Sequence, residues 1–162
     1  MTLTHDASGG PEKGRPLDES SMQLRVLIVD DMRSMRAHTR SMLGDQGYLI
    51  AEAANGLEAI EQVKRFRPHI VLMDISMPEM DGITCCRTLR ANADFRDIKV
   101  IMATGREDYE HVSEAFQAGC DDYVTKPINR DELRGKVGEL GKAVLCRQYL
   151  RTLLKKKPSR KQ

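Results

Sequence analysis

The sequence predicts an α/β fold: five parallel strands in one doubly wound sheet, covered by helices on both faces. Three observations carry this. Apolar runs of strand length alternate five times with stretches of helical periodicity, joined by short links. The first, third and fourth runs (VLIV, IVLM and VIMA) are apolar throughout instead of alternating, as in strands buried on both faces. Each of these three runs then delivers an acid or a hydroxyl at its C-terminal end.

The first strand lies in LRVLIVDD, from Leu24. A helix follows, carrying Met35, Thr39, Met42 and Leu43 to a stop at Gly47. YLIAEAAN, residues 48–55, reads as the second strand. Asn55 takes an N-cap position with Glu58 three residues on, the spacing of a capping box, and opens a helix over 56–66. HIVLMD is the third strand, followed by a helix from about Gly82 to Ala91, and KVIMAT is the fourth. Beyond TGRED a helix runs through Val112, Ala115 and Phe116 and is ended by Gly119. DYVT is the fifth strand, and a last helix starts near Asn129.

The chain has 162 residues, enough for one domain with a real core. Its net charge of +2 hides an asymmetry. Residues 142–162 hold eight Lys or Arg and no acid, so the remainder carries 18 basic against 24 acidic residues. Three segments are expected: a disordered leader over 1–22, a domain over 23–141, and a basic C-terminal extension over 142–162, partly helical and then disordered. The leader is rich in Gly, Pro, Ser and charge and has no apolar core of a signal peptide, and no run is long enough to span a membrane. A cytoplasmic location is expected. Cys85, Cys86, Cys120 and Cys146 show no metal-ligand spacing and read as free thiols, buried or partly buried. His38, His69 and His111 read as surface or helix-face residues.

In an open α/β sheet the functional crevice lies at the C-terminal strand ends. Those ends deliver Asp30 and Asp31 after the first strand, Asp74 after the third, Thr104 after the fourth, and Lys126-Pro127 after the fifth. Like charges about 4 Å apart repel by about 4 kcal/mol per pair at an effective dielectric of about 20. One lysine offsets one of three carboxylates. The surplus suits a hard, oxygen-preferring divalent cation, with Mg²⁺ the best fit. A carboxylate beside a cation and a lysine also suits phosphoryl transfer, with Asp74 attacking in line.

VLIVDD, VLMDISMPEMDG, VIMATGRED and DYVTKPINRDEL together resemble the receiver domain of two-component response regulators, the class that includes the chemotaxis regulator. The resemblance covers roughly Leu24 to Leu140. It implies a flavodoxin-like three-layer sandwich with strand order 2-1-3-4-5. It implies that Asp74 is the phosphoacceptor, taking its phosphoryl group from a histidine kinase or phosphotransfer protein. Asp30, Asp31, Asp74 and the backbone carbonyl of Ser76 would hold Mg²⁺, and Lys126 would pair with the phosphoryl group. Pro127 would follow a cis peptide. Thr104 would swing toward the phosphate and draw Tyr123 from an outward to an inward rotamer. That would reshape the face of the fourth helix, fifth strand and fifth helix, where a downstream protein docks. No enzymatic activity beyond self-phosphorylation and dephosphorylation is implied. Gly105 stands where the family often has Ala. Ser76 and Arg106, two residues past Asp74 and Thr104, flank the path of an attacking water.

Two alternatives share this chemistry: a receiver cut from a longer regulator, and an aspartyl-phosphate phosphatase of the haloacid-dehalogenase kind. The latter expects a second Asp two residues past the nucleophile, where this chain has Ser76. Nucleic-acid binding through the basic tail lacks a helix-turn-helix or interleaved aromatics. In the last helix, Leu133, Val137, Leu140 and Val144 form one face, suited to the sheet. Leu145, Cys146, Tyr149, Leu150, Leu153 and Leu154 centre on the opposite side, so the extension expects another occupant, a second copy of the chain among them. Gly135, Gly138 and Gly141 leave room for a bend between the two faces.

Overall fold

Strand β1 (Arg25–Val29) leads into α1 (Arg33–Leu43), and the alternation continues through β2 (Leu49–Ala53), α2 (Gly56–Phe66), β3 (Ile70–Asp74), α3 (Gly82–Ala91), β4 (Lys99–Thr104), α4 (Tyr109–Gln117), β5 (Asp122–Thr125) and α5 (Arg130–Lys155). The structure, a computed structural model, describes residues 22–105 and 109–156. The leader up to residue 21, Arg106 and the tail from residue 157 lie outside the described residues. The five strands are parallel, in the order β2-β1-β3-β4-β5, as expected.

Strand side chains alternate between the two faces of the sheet, and each face builds its own core. Leu27, Val29, Val71, Met73, Val100 and Met102 pack with Ala59, Val63, Cys85, Leu89 and Ala115 beneath α2, α3 and α4. Val26, Ile70, Leu72, Ile101, Ala103 and Val124 face the other way, against Met42 and Leu43 of α1 and Leu133 and Val137 of α5. The unbroken apolar runs follow from this: both parities of β1, β3 and β4 are buried. β2 is an edge strand and is more exposed, with Leu49 at 43%.

Local chemistry sets the helix starts. The Asn55 carboxamide accepts from Glu58 N at 2.9 Å. The Glu58 carboxylate reaches back to Ala54 N at 2.8 Å, one residue before the position a capping box uses. Asp81 and Asn129 cap α3 and α5 in the same manner, accepting from Thr84 N and Glu132 N.

Helix α5 is continuous over 26 residues, so the three glycines accommodate no break. Gly141 has a packing reason: a Cβ there would stand 2.7 Å from Cδ2 of Leu24. As expected, Tyr149, Leu150, Leu153 and Leu154 are exposed and turn away from the body. Leu145 is a correction, since it is partly buried and packs on the α1–α5 core. His69 is another. It is 7% exposed, because its ring is enclosed between β1 and α5. Its Nδ1 accepts from Arg25 N at 3.0 Å, and Nε2 lies 3.2 Å from Oε1 of Gln148. With Nδ1 accepting, the proton sits on Nε2 and is donated to Gln148. Burial, then the Arg25 charge, pulls the imidazole below its ordinary pKa, against the Gln148 hydrogen bond. An Arg151–Asp97 ion pair at 2.8 Å adds a second tie between the extension and the body. Cys85, Cys86 and Cys120 are buried free thiols and Cys146 is an exposed one. No helix among the described residues is long and apolar enough to cross a membrane.

Candidate functional site

Parallel register brings the strand ends together. Val29 pairs with Met73, so the next residues, Asp30 and Asp74, leave the sheet side by side. Asp74 pairs with Ala103 and Thr104 with Thr125, which places Thr104 and Lys126 along the same edge. The backbone N–H of Lys126 donates to the Thr104 carbonyl at 2.7 Å, extending the β4–β5 ladder by one residue.

Carboxylate oxygens of Asp30, Asp31 and Asp74 lie within 4.8 Å of one another. Asp30 and Asp74 are buried at 7% exposure, and Asp31 is exposed. The Lys126 ammonium bridges the buried pair, 2.8 Å from Oδ2 of Asp74 and 3.1 Å from Oδ2 of Asp30. The peptide bond between Lys126 and Pro127 is cis.

Burial raises the Asp74 carboxyl above its ordinary pKa, and the neighbouring Asp30 charge adds to this, while the Lys126 hydrogen bond and charge oppose it. For Lys126 burial pulls the other way, downward. The hydrogen bonds and charges of Asp74 and Asp30 together outweigh it and hold the ammonium above its usual value. The cluster thus keeps its lysine charged but is under-compensated in positive charge. Its hard oxygen donors on three neighbouring carboxylates fit Mg²⁺ or a similar divalent cation.

The surrounding backbone holds these groups in place. Asp30 Oδ1 accepts from Met32 N at 2.9 Å, and its carbonyl accepts from Nη1 of Arg36 at 2.8 Å. Asp74 Oδ1 accepts from Ser76 N at 3.3 Å. Asp31 and Ser76 line one open cleft of about 510 Å³ with Met77, Pro78 and Asp81. The loop beneath is tied down by Gly82 N to the Ile75 carbonyl at 2.8 Å and Gly56 N to the Met80 carbonyl at 3.2 Å. Neither glycine tolerates a Cβ. At Gly56 it would press to 2.7 Å on Met80, and at Gly82 it would overlap the Asp74 carbonyl. Sequence reasoning placed Gly82 only at the start of a helix and missed this second duty; it missed the Arg36 clamp too. A cation one turn into α1 was the available signal.

Thr104 is 1% exposed, and its hydroxyl donates to the Val124 carbonyl at 3.4 Å. Tyr123 is half-buried against the α2–α3–α4 core. Its ring makes an edge contact with Phe116 at 6.0 Å, and Lys136 Nζ stands 5.1 Å from its centroid. Asp30, Asp31, Asp74, Ser76, Thr104 and Lys126 are therefore gathered at one edge. Tyr123 sits two residues before the end of β5, on the side facing α4.

The profile of the response regulator receiver domain matches residues 26–138. The chain is 37% identical to response regulator MprA of Mycobacterium leprae over 117 residues, which is 72% of this chain and 50% of that protein. It is 34% identical to the protein of the same name from Mycobacterium tuberculosis over 119 residues, covering 74% of this chain and 51% of that one. The chain thus spans about half the length of these curated relatives. Among solved structures, the receiver domain of a signal transduction histidine kinase from Syntrophus aciditrophicus superposes with a TM-score of 0.70 at 32% identity, over 85% of this chain and 97% of that one. The chemotaxis response regulator CheY4 of Vibrio cholerae gives 0.68 at 27% identity, over 73% and 98%. With the strand order and the acidic edge of the sheet already in place, these likenesses settle the family: the chain belongs to the response regulator receiver domains.

Proposed function

We propose that the chain is a phosphorylation-controlled receiver that takes a phosphoryl group from a phosphohistidine of a histidine kinase, or of a phosphotransfer protein, onto Asp74. In the step, the P–N bond of the donor breaks with its electron pair passing to the imidazole nitrogen. An O–P bond forms at a carboxylate oxygen of Asp74. The observation that supports this best is the bridge from Lys126 to Asp30 and Asp74 beside three converging carboxylates. Asp30, Asp31, Asp74 and the carbonyl of Ser76 would hold Mg²⁺. When bound, the cation neutralises the excess carboxylate charge and the charge on the phosphoryl oxygens. Lys126 pairs with the phosphoryl group, and before transfer its hydrogen bond and charge oppose burial and the Asp30 charge and so favour the carboxylate form of Asp74 that attacks.

Thr104 is the residue placed to report the phosphoryl group. Among the described residues its hydroxyl bonds the Val124 carbonyl at a long 3.4 Å, and turning it toward the site would free the space that Tyr123 enters. The face of α4, β5 and α5 is then the docking surface for a downstream protein, in the cytoplasm. The functional domain covers residues 23–141, with a separable extension over 142–162. A receiver that forms part of a longer regulator would use the same site in the same way.

Incubation with acetyl phosphate or phosphoramidate and Mg²⁺ tests the assignment. One phosphoryl mass is expected on the wild type, lost in Asp74→Ala and in EDTA. Persistent labelling of the Ala variant would overturn it.

A further inference from the structure

Eight residues of α5 recur at alternating steps of three and four: Glu132, Gly135, Glu139, Lys142, Cys146, Tyr149, Leu153 and the cap residue Lys156. All eight are exposed, on the side of the helix turned away from Leu133, Val137 and Gly141. This is the spacing of a coiled-coil seam, yet the residues are unlike those of a uniform zipper. The first three, Glu132, Gly135 and Glu139, are acidic or small, and from Lys142 onward the seam is basic and apolar. Gly135 has nothing within 4 Å of where a Cβ would stand, so the body gives no packing reason for it. In an exposed helix interior it costs about 1 kcal/mol against Ala.

These features agree if the partner is a second copy lying antiparallel. A two-fold axis level with Val144 matches each position i with 288 − i, and then every layer sets a first seam position against a second, as antiparallel packing requires. The layers are Glu132 with Lys156, Gly135 with Leu153, Glu139 with Tyr149, and Lys142 with Cys146, each occurring twice. Opposite charges meet at the ends, and Leu153 enters the space left by Gly135. The Tyr149 hydroxyl is within side-chain reach of a carboxylate. Parallel pairing in register would instead set Glu132, Glu139, Lys142 and Lys156 each against its own copy, four layers of like charge. The paired segment of about 24 residues is about 36 Å long. The apolar half alone gives little more than two turns of contact, well short of the roughly 800 Å² per partner of a stable interface. Charge and area together favour the antiparallel arrangement, and such an isologous contact closes at two copies.

We infer that the exposed seam of α5 is a homodimer interface in which two copies pair antiparallel about Val144, Leu153 of each over Gly135 of the other. The interface lies outside the phosphoacceptor site and does not depend on its chemistry.

Sedimentation velocity of the full chain, without phosphodonor, is expected to show dimer in the micromolar range. Cross-linking then reads the geometry in a Cys146→Ser background. A mixture of Gly135→Cys and Leu153→Cys chains should form an inter-chain disulfide on mild oxidation. Either variant alone should form none, since its two copies stand about 27 Å apart along the axis. Glu132→Lys should lose dimer, and Glu132→Lys with Lys156→Glu should recover it. Monomer at all concentrations overturns the proposal. So does a disulfide formed by Leu153→Cys alone, which reports parallel pairing, or dimer loss in the single charge variant without recovery in the double.

Discussion

Gly82 packs its Cα against the carbonyl of Asp74 so closely that a Cβ would overlap the oxygen. The obstruction is the backbone of Asp74 itself, which cannot turn aside as a side-chain end would. Gly82→Ala is therefore expected to cost about 1–3 kcal/mol in urea unfolding and to lower the rate of labelling by acetyl phosphate. A variant of wild-type stability and rate would show that the loop relaxes freely.

Lys126 is the cation that the buried Asp30 and Asp74 share. Lys126→Met leaves both carboxylates facing each other, and a Tm deficit equivalent to about 1–3 kcal/mol is expected in metal-free buffer. The deficit should shrink as Mg²⁺ is added, because the ion replaces the missing charge. Thermal melts with and without Mg²⁺ measure this, and a deficit unchanged by the ion would count against a shared site.

The wild type should itself gain Tm with Mg²⁺, since an ion that binds the folded state alone stabilises it by mass action. Asp31→Asn removes the exposed carboxylate of the cluster without disturbing the Lys126 bridge. It should leave the metal-free stability within about 0.5 kcal/mol of wild type and weaken the Mg²⁺-dependent rise in Tm.

His69 gives a pH dependence of definite sign. Its pKa is lowered on folding, so between the folded value and the ordinary value of about 6.5 the unfolded chain binds more protons. Its contribution is complete above about pH 6.5 and is lost as pH falls toward the folded value. His69→Gln should be less stable than wild type at pH 8, with the difference narrowing as the buffer is acidified below 6.5. Urea midpoints at a series of pH values read this, and a difference constant across the series would remove His69 as the titrating group.

Truncation after Gly141 removes Leu145, Gln148 and Arg151 with their contacts to the core, His69 and Asp97. Leu133 and Val137 remain. The shortened chain is expected to fold with a loss on the order of 1–2 kcal/mol and to label on Asp74 as before. Failure to fold would make the extension an integral part of the domain.

The sequence by itself determined the order and approximate bounds of all ten elements, because their signals are local: unbroken apolar runs, the Asn55 cap, the stop at Gly119. It also marked Asp30, Asp31, Asp74, Thr104 and Lys126, since a parallel sheet forces the ends of its strands to one edge. What only the tertiary structure decided were relations between segments far apart in the chain. His69 read as a surface residue, yet α5, 79 residues away at Gln148, covers it. Leu145 fell on the outward side of an ideal wheel, yet the core below was broad enough to hold it. Gly82 read only as the start of a helix, and the Asp74 carbonyl against it follows from the fold. Periodicity and caps act over about one helical turn and can be read from the chain alone. Burial and close approach depend on which surfaces meet, and that follows only from packing.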